Sequence, residues 1–195
     1  MTSEKDKMLS GELYKAFGDE LTEERLKARI LVHEFNALEP DKLNRQRELI
    51  KELLGTTGER FHFEAPFRCD YGYNIHIGEN FYSNFNLVIL DCAPVHIGKN
   101  VLIGPDVGIY TAGHPLHHEL RKQDFEFALA VTIGNNVWVG GQVVINPGVT
   151  IGDNVVIGSG SVVTRDIPPN MLAAGNPCKI LREITEITSR GKEGD

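Results

Sequence analysis

The sequence predicts a mainly β protein built as a parallel β-helix, and a six-residue repeat with a turn in each unit supports that prediction. Every sixth residue from Ile75 to Ser161 is small or aliphatic, with one Phe, on a lattice that continues through two interruptions. A typical unit is Ile75-His-Ile-Gly-Glu-Asn80, in which Gly and Asn supply a tight turn. Six residues are not a helical period. Three units of short strand and turn can instead close one coil, whose apolar residues are buried by stacking on the next coil.

Residues 1–58 precede the repeats and carry a helical pattern. Thr22 is placed to cap a first helix that Glu39-Pro40 ends, and Asp41 is placed to cap a second helix that reaches Gly55. The apolar residues at helical spacing are Leu21, Leu26, Ile30, Leu31, Phe35 and Leu38 in the first helix and Leu43, Ile50, Leu53 and Leu54 in the second. Helices at the open end of a solenoid cover its exposed core, so we expect this segment to cap the first coil.

The repeats occupy a second segment, residues 59–178, which one loop interrupts. The chain between Val107 and Val131 is long enough for four units, but residues 113–130 lack the repeat and are rich in polar side chains. We expect these residues to leave the coil as a loop.

The third segment is short and polar. Ile167-Pro168-Pro169 ends the last repeat strand, because proline cannot continue a hydrogen-bonded ladder. Residues 179–195 are then predicted to form a C-terminal helix, over Lys179 to Ile187, and a tail.

Composition and charge exclude several classes of partner. The net charge of −7 offers no basic surface to nucleic acid or to an anionic membrane. No apolar run is long enough to span a bilayer, and the N-terminus lacks the apolar stretch of a signal peptide, which predicts a cytoplasmic protein. Cys69, Cys92 and Cys178 are odd in number and widely spaced, as expected of free thiols in a reducing compartment.

The repeat region is poor in charge, which predicts self-association. Residues 1–55 hold ten of the twenty Lys and Arg residues of the chain. Residues 75–166 hold only Lys99, Arg121, Lys122 and Arg165. A prism of that length would expose broad apolar faces as a monomer.

We expect the active site at the start of the loop, where the six-residue repeat ends at Tyr110-Thr-Ala-Gly-His114. A neutral His is a good general base near pH 7. At this position His114 would be held by the rigid coil while the loop covers a cleft. On spacing alone, an ordinary solvated surface His is the alternative interpretation.

Several motifs resemble the sugar O-acetyltransferases of the hexapeptide-repeat superfamily, above all the maltose and galactoside O-acetyltransferases. The resemblance covers nearly the whole chain and includes the N-terminal helical segment, the start of the β-helix and the histidine loop. The motifs are Met8-Leu-Ser-Gly-Glu-Leu-Tyr14, Arg47-Glu-Leu-Ile-Lys-Glu-Leu-Leu54, Phe67-Arg-Cys-Asp-Tyr-Gly-Tyr-Asn-Ile-His-Ile-Gly78, Gly113-His-Pro-Leu-His-His, Val131-Thr-Ile-Gly-Asn-Asn-Val-Trp-Val-Gly-Gly141 and Ile145-Asn-Pro-Gly-Val-Thr-Ile-Gly-Asp-Asn154.

The resemblance implies a fold, an assembly and a reaction. The fold would be a left-handed parallel β-helix, and the protein would be a homotrimer with active sites between neighbouring subunits. The reaction would move an acetyl group from acetyl-CoA directly to a sugar hydroxyl. By the same resemblance, His114 would be the general base, and Asn84 would contact both the acyl donor and the reacting centre. No metal is expected.

The resemblance also implies contacts with both substrates. Asp70, Tyr82 and Asp91 would bind the sugar. The coenzyme A tunnel would be lined by Asn84, Gly141, Ser159, Thr164, Arg165, Lys179 and Arg182, of which the last two would supply positive charge for the phosphates.

Two departures from the galactoside pattern bear on the sugar. Cys92 stands where the galactoside enzymes have a second Asp, and Ala16 replaces an acid that contacts galactoside. A maltose-like or glucose-like acceptor is therefore expected first and a galactoside next.

Two other functions stay open at the level of sequence. The same β-helix carries γ-class carbonic anhydrases, and His76, His114, His117 and His118 are candidate zinc ligands. A non-catalytic trimeric scaffold is the second alternative, because solenoids often only present a surface.

Overall fold

The structure is a computed structural model that describes residues 2–185. Within this range, four helices and nineteen strands follow one another, and most strands belong to one solenoid. The helices are α1 (Glu4–Ser10), α2 (Asp19–Ala37), α3 (Leu43–Leu53) and α4 (His118–Lys122).

The predicted parallel β-helix is confirmed, and its strands form three sheets, one along each side of the prism. Sheet 1 contains β4 (Ile75–Ile77), β7 (Val95–Ile97), β12 (Val131–Ile133) and β15 (Thr150–Ile151). Sheet 2 contains β2 (Phe61–Phe63), β5 (Phe81–Ser83), β8 (Leu102–Ile103), β13 (Trp138–Val139), β16 (Val156–Ile157), β18 (Met171–Ala174) and β19 (Lys179–Glu183). Sheet 3 contains β3 (Phe67–Cys69), β6 (Leu87–Leu90), β9 (Gly108–Tyr110), β14 (Val144–Ile145) and β17 (Val162–Val163).

The repeat lattice becomes the core because each coil lies in register on the next. Val95 pairs with Ile75 on one side and with Val131 on the other, and all three side chains are fully buried. The residue between two inward positions faces outward, as alternation along a strand requires. Gly98 lets the coils approach, since an added Cβ would lie 2.7 Å from the carbonyl oxygen of Gly134 in the next coil.

One corner of the prism is held by a ladder of asparagines. Their backbones are left-handed, with φ near 60°, a conformation that Asn tolerates better than most residues. Each side-chain amide donates to the next side-chain carbonyl at 2.8 or 2.9 Å. The ladder runs through Asn80, Asn100, Asn136, Asn154 and Asn170.

The N-terminal helices cover the first coil as expected. Ala28, Val32 and Phe35 of α2 and Leu49, Ile50 and Leu53 of α3 are buried in one continuous core with Phe63 and Phe67 of the first coil. Two predicted helix starts are wrong. Helix α2 begins at Asp19 after Gly18, so Thr22 is an internal residue, and α3 begins after Lys42 rather than at Asp41.

One helix was missed because it is short. In α1, the Ser3 side chain accepts from the Asp6 amide and the Asp6 carboxylate accepts from the Ser3 amide, a reciprocal cap. The helix buries Met8.

The loop of residues 113–130 leaves the coil but has its own structure. A small antiparallel sheet joins β10 (Ala112–Gly113), β11 (Phe125–Ala128) and β1 (Tyr14–Lys15). Tyr14 pairs with Glu126, so the N-terminal segment holds the returning arm of the loop.

The predicted C-terminal helix is wrong within the described residues. Lys179–Glu183 forms β19, which pairs antiparallel with β18, and residues 186–187 of the predicted helix lie outside the described range. The edge of β18 offers unpaired backbone groups, and a returning strand satisfies them where a helix would not. None of the helices in the described part of the chain could span a lipid bilayer.

Candidate active site

The predicted site residues occupy two corners of the prism. The sheet-3 corner consists of the turns that follow the strands of sheet 3, and it carries Asp70, Asp91 and the start of the loop at His114. The sheet-2 corner consists of the turns that follow the strands of sheet 2, and it carries Asn84. An extended strand rises about 3.3 Å per residue, so the four residues of β6 alone hold the two corners about 13 Å apart.

His114 is exposed at the point where the loop leaves β10. Its Nδ1 lies 3.4 Å from the carbonyl oxygen of Phe125 on the returning arm. A neutral imidazole that donates from Nδ1 to this carbonyl keeps Nε2 as an acceptor, the tautomer that a general base needs. A larger residue in place of Gly113 would displace the Phe127 ring, because an added Cβ would lie 2.5 Å from it.

His114 and Asp70 line one cavity of about 250 Å³. Arg25 and Arg29 of α2 and Glu126 of β11 also line it. The cavity therefore combines residues from the N-terminal helix, the coil and the loop. It is rich in hydrogen-bonding groups, as a site for a hydroxylated ligand should be.

Asp70 is partly buried in this cavity. Burial raises the pKa of its carboxyl above the usual value, while a hydrogen bond from Cys92 and the charge of Arg25 oppose the shift. The Cys92 Sγ lies 3.6 Å from Asp70 Oδ2. Burial also raises the pKa of the Cys92 thiol, so this cysteine is a poor nucleophile and a structural neighbour of Asp70.

Asp91 does not line the cavity, because its side chain is fully buried behind Asp70. Its Oδ1 accepts from the amides of Asp70 and Tyr71, both at 2.9 Å, and its Oδ2 is buried without a partner among the described residues. Burial raises the pKa of Asp91 to about 6. Asp91 therefore supports the turn that presents Asp70, and its direct contact with the sugar stays a prediction.

Tyr82 and Asn84 lie apart from His114, on and after β5 of sheet 2. The Tyr82 ring stacks on His62 at 5.7 Å between centroids. The Asn84 side-chain carbonyl accepts from the Phe85 amide at 2.8 Å, which leaves its NH₂ group to donate elsewhere. Within one chain these residues and His114 therefore face different grooves.

Gly141 and Ser159 lie on the same corner as Asn84, one residue further along their turns. The turns are stacked closely: an added Cβ on Gly140 would lie 2.7 Å from the amide nitrogen of Ser159. Thr164 and Arg165 follow β17 and lie instead at the end of the sheet-3 corner.

Lys179 and Arg182 share one face of sheet 2 despite being three residues apart in a strand. Paired residues of an antiparallel ladder project to the same side, and Lys179 pairs with Ala174 while Arg182 pairs with Leu172. A bulge between Leu172 and Ala173 makes this pairing possible. Both cations therefore lie at one end of an outward-facing stripe of side chains on sheet 2, whose apolar members include Leu102, Trp138 and Val156.

Sequence reasoning missed Arg25, Arg29 and Glu126. The spacing of Arg25 and Arg29 places them on one face of a helix, and that was the available signal. Which face of α2 meets the coil depends on tertiary packing, which the pattern alone does not give.

The four histidines considered as zinc ligands do not form one cluster. His76 lies on sheet 1, stacked on His96 at 4.8 Å, while His117 and His118 lie beside each other at the start of α4. Across residues 2–185, no three His, Cys, Asp or Glu side chains converge as metal ligands would.

Comparison with known proteins places the chain among characterised families. Residues 7–58 match the maltose acetyltransferase hexapeptide capping motif, and residues 130–165 match six repeats of the bacterial transferase hexapeptide. Galactoside O-acetyltransferase of Escherichia coli K12 is 52% identical over 181 residues, which cover 93% of this chain and 89% of that protein.

Two solved structures share the fold. A maltose O-acetyltransferase from Clostridium difficile 630 superimposes with a TM-score of 0.93 at 48% identity, covering 94% of this chain and 98% of the other. A galactoside acetyltransferase in complex with coenzyme A gives a TM-score of 0.92 at 51% identity, and the match covers 95% of this chain and 92% of the other.

Proposed function

The chain belongs to the hexapeptide-repeat sugar O-acetyltransferases, the family of the maltose and galactoside enzymes, and we propose that it acetylates a sugar hydroxyl by direct transfer with His114 as general base. Acetyl-CoA is the acetyl donor of this O-acetyltransferase. The observation that carries the proposal is the shared cavity of His114 and Asp70, with the His114 Nδ1 turned to the Phe125 carbonyl.

The base is needed because a sugar hydroxyl is a weak nucleophile. His114 Nε2 accepts the hydroxyl proton as the oxygen attacks the thioester carbonyl, a contribution of about 10²- to 10⁴-fold. Phe125 fixes the tautomer that leaves this nitrogen free to accept. Asp70 accepts a hydrogen bond from another hydroxyl and so orients the ring.

Negative charge then develops on the thioester oxygen. The free NH₂ group of Asn84 is a suitable donor to that oxygen, because its carbonyl is already engaged by the Phe85 amide. This requires Asn84 to approach His114, although one prism holds their corners apart.

A homotrimer resolves that separation. If the sheet-2 corner of one subunit packs against the sheet-3 corner of its neighbour, Tyr82 and Asn84 complete the cavity that contains His114. The exposed apolar side chains of Leu102 and Trp138 on sheet 2, each about half exposed in the single chain, would be covered in such a contact. The active site is then shared between subunits.

The coenzyme would follow the same face of sheet 2. Its pantetheine arm would lie along the apolar stripe, past the corner turns of Gly141 and Ser159, and its phosphates would lie near Lys179 and Arg182. Thr164 and Arg165 would contribute from the sheet-3 corner of the neighbouring prism. A wall with so few charges makes two cations effective partners for phosphate.

The acceptor is proposed to be maltose-like or glucose-like, with a galactoside next. Ala16 and Cys92, the two departures from the galactoside pattern, both line the cavity of His114. They therefore change the wall that meets the sugar. The three free thiols, Cys69, Cys92 and Cys178, are consistent with the cytoplasmic location that we expect.

The mechanism is tested by replacing His114 and measuring thiol release from acetyl-CoA with a panel of sugars. His114→Ala should lower kcat by about 100-fold or more and leave coenzyme A affinity nearly unchanged, because the base acts only in the transition state.

His118→Ala is the matched control, since it removes an exposed imidazole from the same loop. Its kcat should stay near that of the wild type. Isolation of a kinetically competent acetyl-enzyme on His114 or Cys92 would instead establish a covalent route and overturn direct transfer.

A further inference from the structure

We propose that the acceptor site continues into a second, cationic cavity and that this enzyme prefers acceptors carrying an anionic group, a phosphate or a carboxylate, beyond the ring that is acetylated. This inference rests on the proposed function, because it assigns the remainder of the acceptor to a cavity next to His114.

The second cavity is larger than the first and continuous with it. It has a volume of about 540 Å³ and lies between α2 and sheet 3. Arg29, Asp70 and Leu90 line both cavities and mark the junction. A hexose in the first cavity with one hydroxyl at His114 therefore directs its opposite end towards this space.

The charges in the second cavity are mostly positive. Arg29 and His33 lie four residues apart on α2, and Arg68 projects from β3 on the facing wall. Asp70 is the single acid along this lining, and it stands at the junction. In a protein with a net charge of −7, a cleft with this balance is a local reversal of sign.

These cations are available to a ligand, unlike their neighbour Arg25. The Arg25 guanidinium donates to the Tyr71 hydroxyl and to the Ala16 carbonyl oxygen, both at 2.6 Å. Within residues 2–185, neither Arg29 nor Arg68 has a hydrogen bond or an ion pair with another side chain, and both are exposed. Arg25 shapes the cavity wall, whereas Arg29 and Arg68 can turn towards an anion.

The position of Asp70 determines where that anion lies. Asp70 would repel an anion at the junction, so the anion must lie beyond it, between Arg29 and Arg68 and close to His33. Guanidinium groups bind phosphate and carboxylate through paired hydrogen bonds. Two arginines on opposite walls therefore suit an anion at the glycosidic end of the acceptor.

The proposal is tested with pairs of acceptors in which one member carries an anionic group and the other is neutral. We would compare α-glucose 1-phosphate with methyl α-glucoside, and 4-carboxyphenyl β-glucoside with its neutral carboxamide. The anionic member should have a KM about tenfold lower at low salt, and the advantage should shrink as ionic strength rises. A preference for the phosphate pair alone would identify phosphate as the group, and the carboxylate pair alone would identify carboxylate.

The double variant Arg29→Gln/Arg68→Gln should abolish the preference. The single variant Arg68→Gln, at a residue that lines only the second cavity, should weaken the preference and leave kcat on the neutral glucosides within about twofold of the wild type. Lys27→Gln/Lys42→Gln removes the same charge from exposed positions outside the cavity and should keep the preference. Calorimetric titration of α-glucose 1-phosphate without acetyl-CoA gives an independent reading of binding.

Equal KM values within both pairs, or a preference that survives Arg29→Gln/Arg68→Gln, would overturn the proposal. Neither result bears on His114, since the neutral glucosides report direct transfer separately.

Discussion

Replacing the buried acid Asp91 with its amide should change how stability depends on pH. In Asp91→Asn the side-chain oxygen can still accept from the amides of Asp70 and Tyr71, while the atom that replaces the unpartnered Oδ2 no longer ionises. The variant thus isolates the effect of one buried charge from the loss of the turn's hydrogen bonds.

The magnitude follows from the pKa. Burial raises the pKa of Asp91 from 3.8 to about 6, so the folded state binds this proton more tightly than the unfolded state does. The resulting stabilisation is complete below pH 3.8 and is lost as the pH rises through about 6. The shift of about two pH units corresponds to about 3 kcal/mol, and about 2 kcal/mol of this falls between about pH 4.5 and 7.5.

The assay is urea unfolding at several pH values and one protein concentration, because association contributes to apparent stability. The free energy of unfolding of Asp91→Asn, relative to the wild type, should increase by about 2 kcal/mol over that pH range. Asp41→Asn, at an exposed position, controls for the loss of one negative charge. A difference between Asp91→Asn and the wild type that is constant with pH would refute the argument.

Three further predictions concern the coenzyme, the assembly and the coil. Lys179→Ala/Arg182→Ala should raise the KM for acetyl-CoA by about tenfold with little change in the KM for sugar, and equal effects on both would remove these residues from the coenzyme site. Light scattering should find a trimer. If inactive His114→Ala and inactive Asn84→Ala subunits are unfolded, mixed in equal amounts and refolded together, about a quarter of the active sites should be restored. A site built within one chain would restore none. Asn136→Ala should lower the free energy of unfolding by about 1–3 kcal/mol, because it breaks two hydrogen bonds of the asparagine ladder and forces Ala into a left-handed backbone conformation. Asn136→Gly should lower it by less, because Gly adopts that conformation easily and only the hydrogen bonds are lost. A larger loss in Asn136→Gly than in Asn136→Ala would contradict that account.

The solenoid could be predicted from sequence because its signal is repeated. One unit such as Ile75–Asn80 is ambiguous, but copies at a fixed spacing leave one way to bury the apolar positions. The segment from Lys179 had no such support. Its local composition suits a short helix, and the open edge of β18 decided in favour of a strand.

The candidate site was only partly predictable for a related reason. His114 was identified because it stands where the repeat breaks, a feature visible in the chain itself. Arg29 and Arg68 are far apart in sequence and meet only because α2 packs over sheet 3. The burial of Asp91 could not be predicted either. It arises because the turn that contains Asp70 and Tyr71, about 20 residues earlier in the chain, folds over the Asp91 side chain.

The short strand β1 makes the loop that carries His114 depend on a segment that is distant in sequence. The Tyr14 hydroxyl donates to Glu126 at 3.0 Å across a sequence separation of 112 residues, and this contact fixes the arm whose Phe125 carbonyl meets His114. During synthesis the first strand emerges long before its partner and must wait for it. The coils can stack one by one as they are made, but the proposed acetyl-transfer centre at His114 forms only when an early segment docks on one that is made much later. Catalytic activity therefore appears late in folding. Deletion of the N-terminal residues through Tyr14 would leave the coils stacked, but the arm that positions His114 would no longer be held in place.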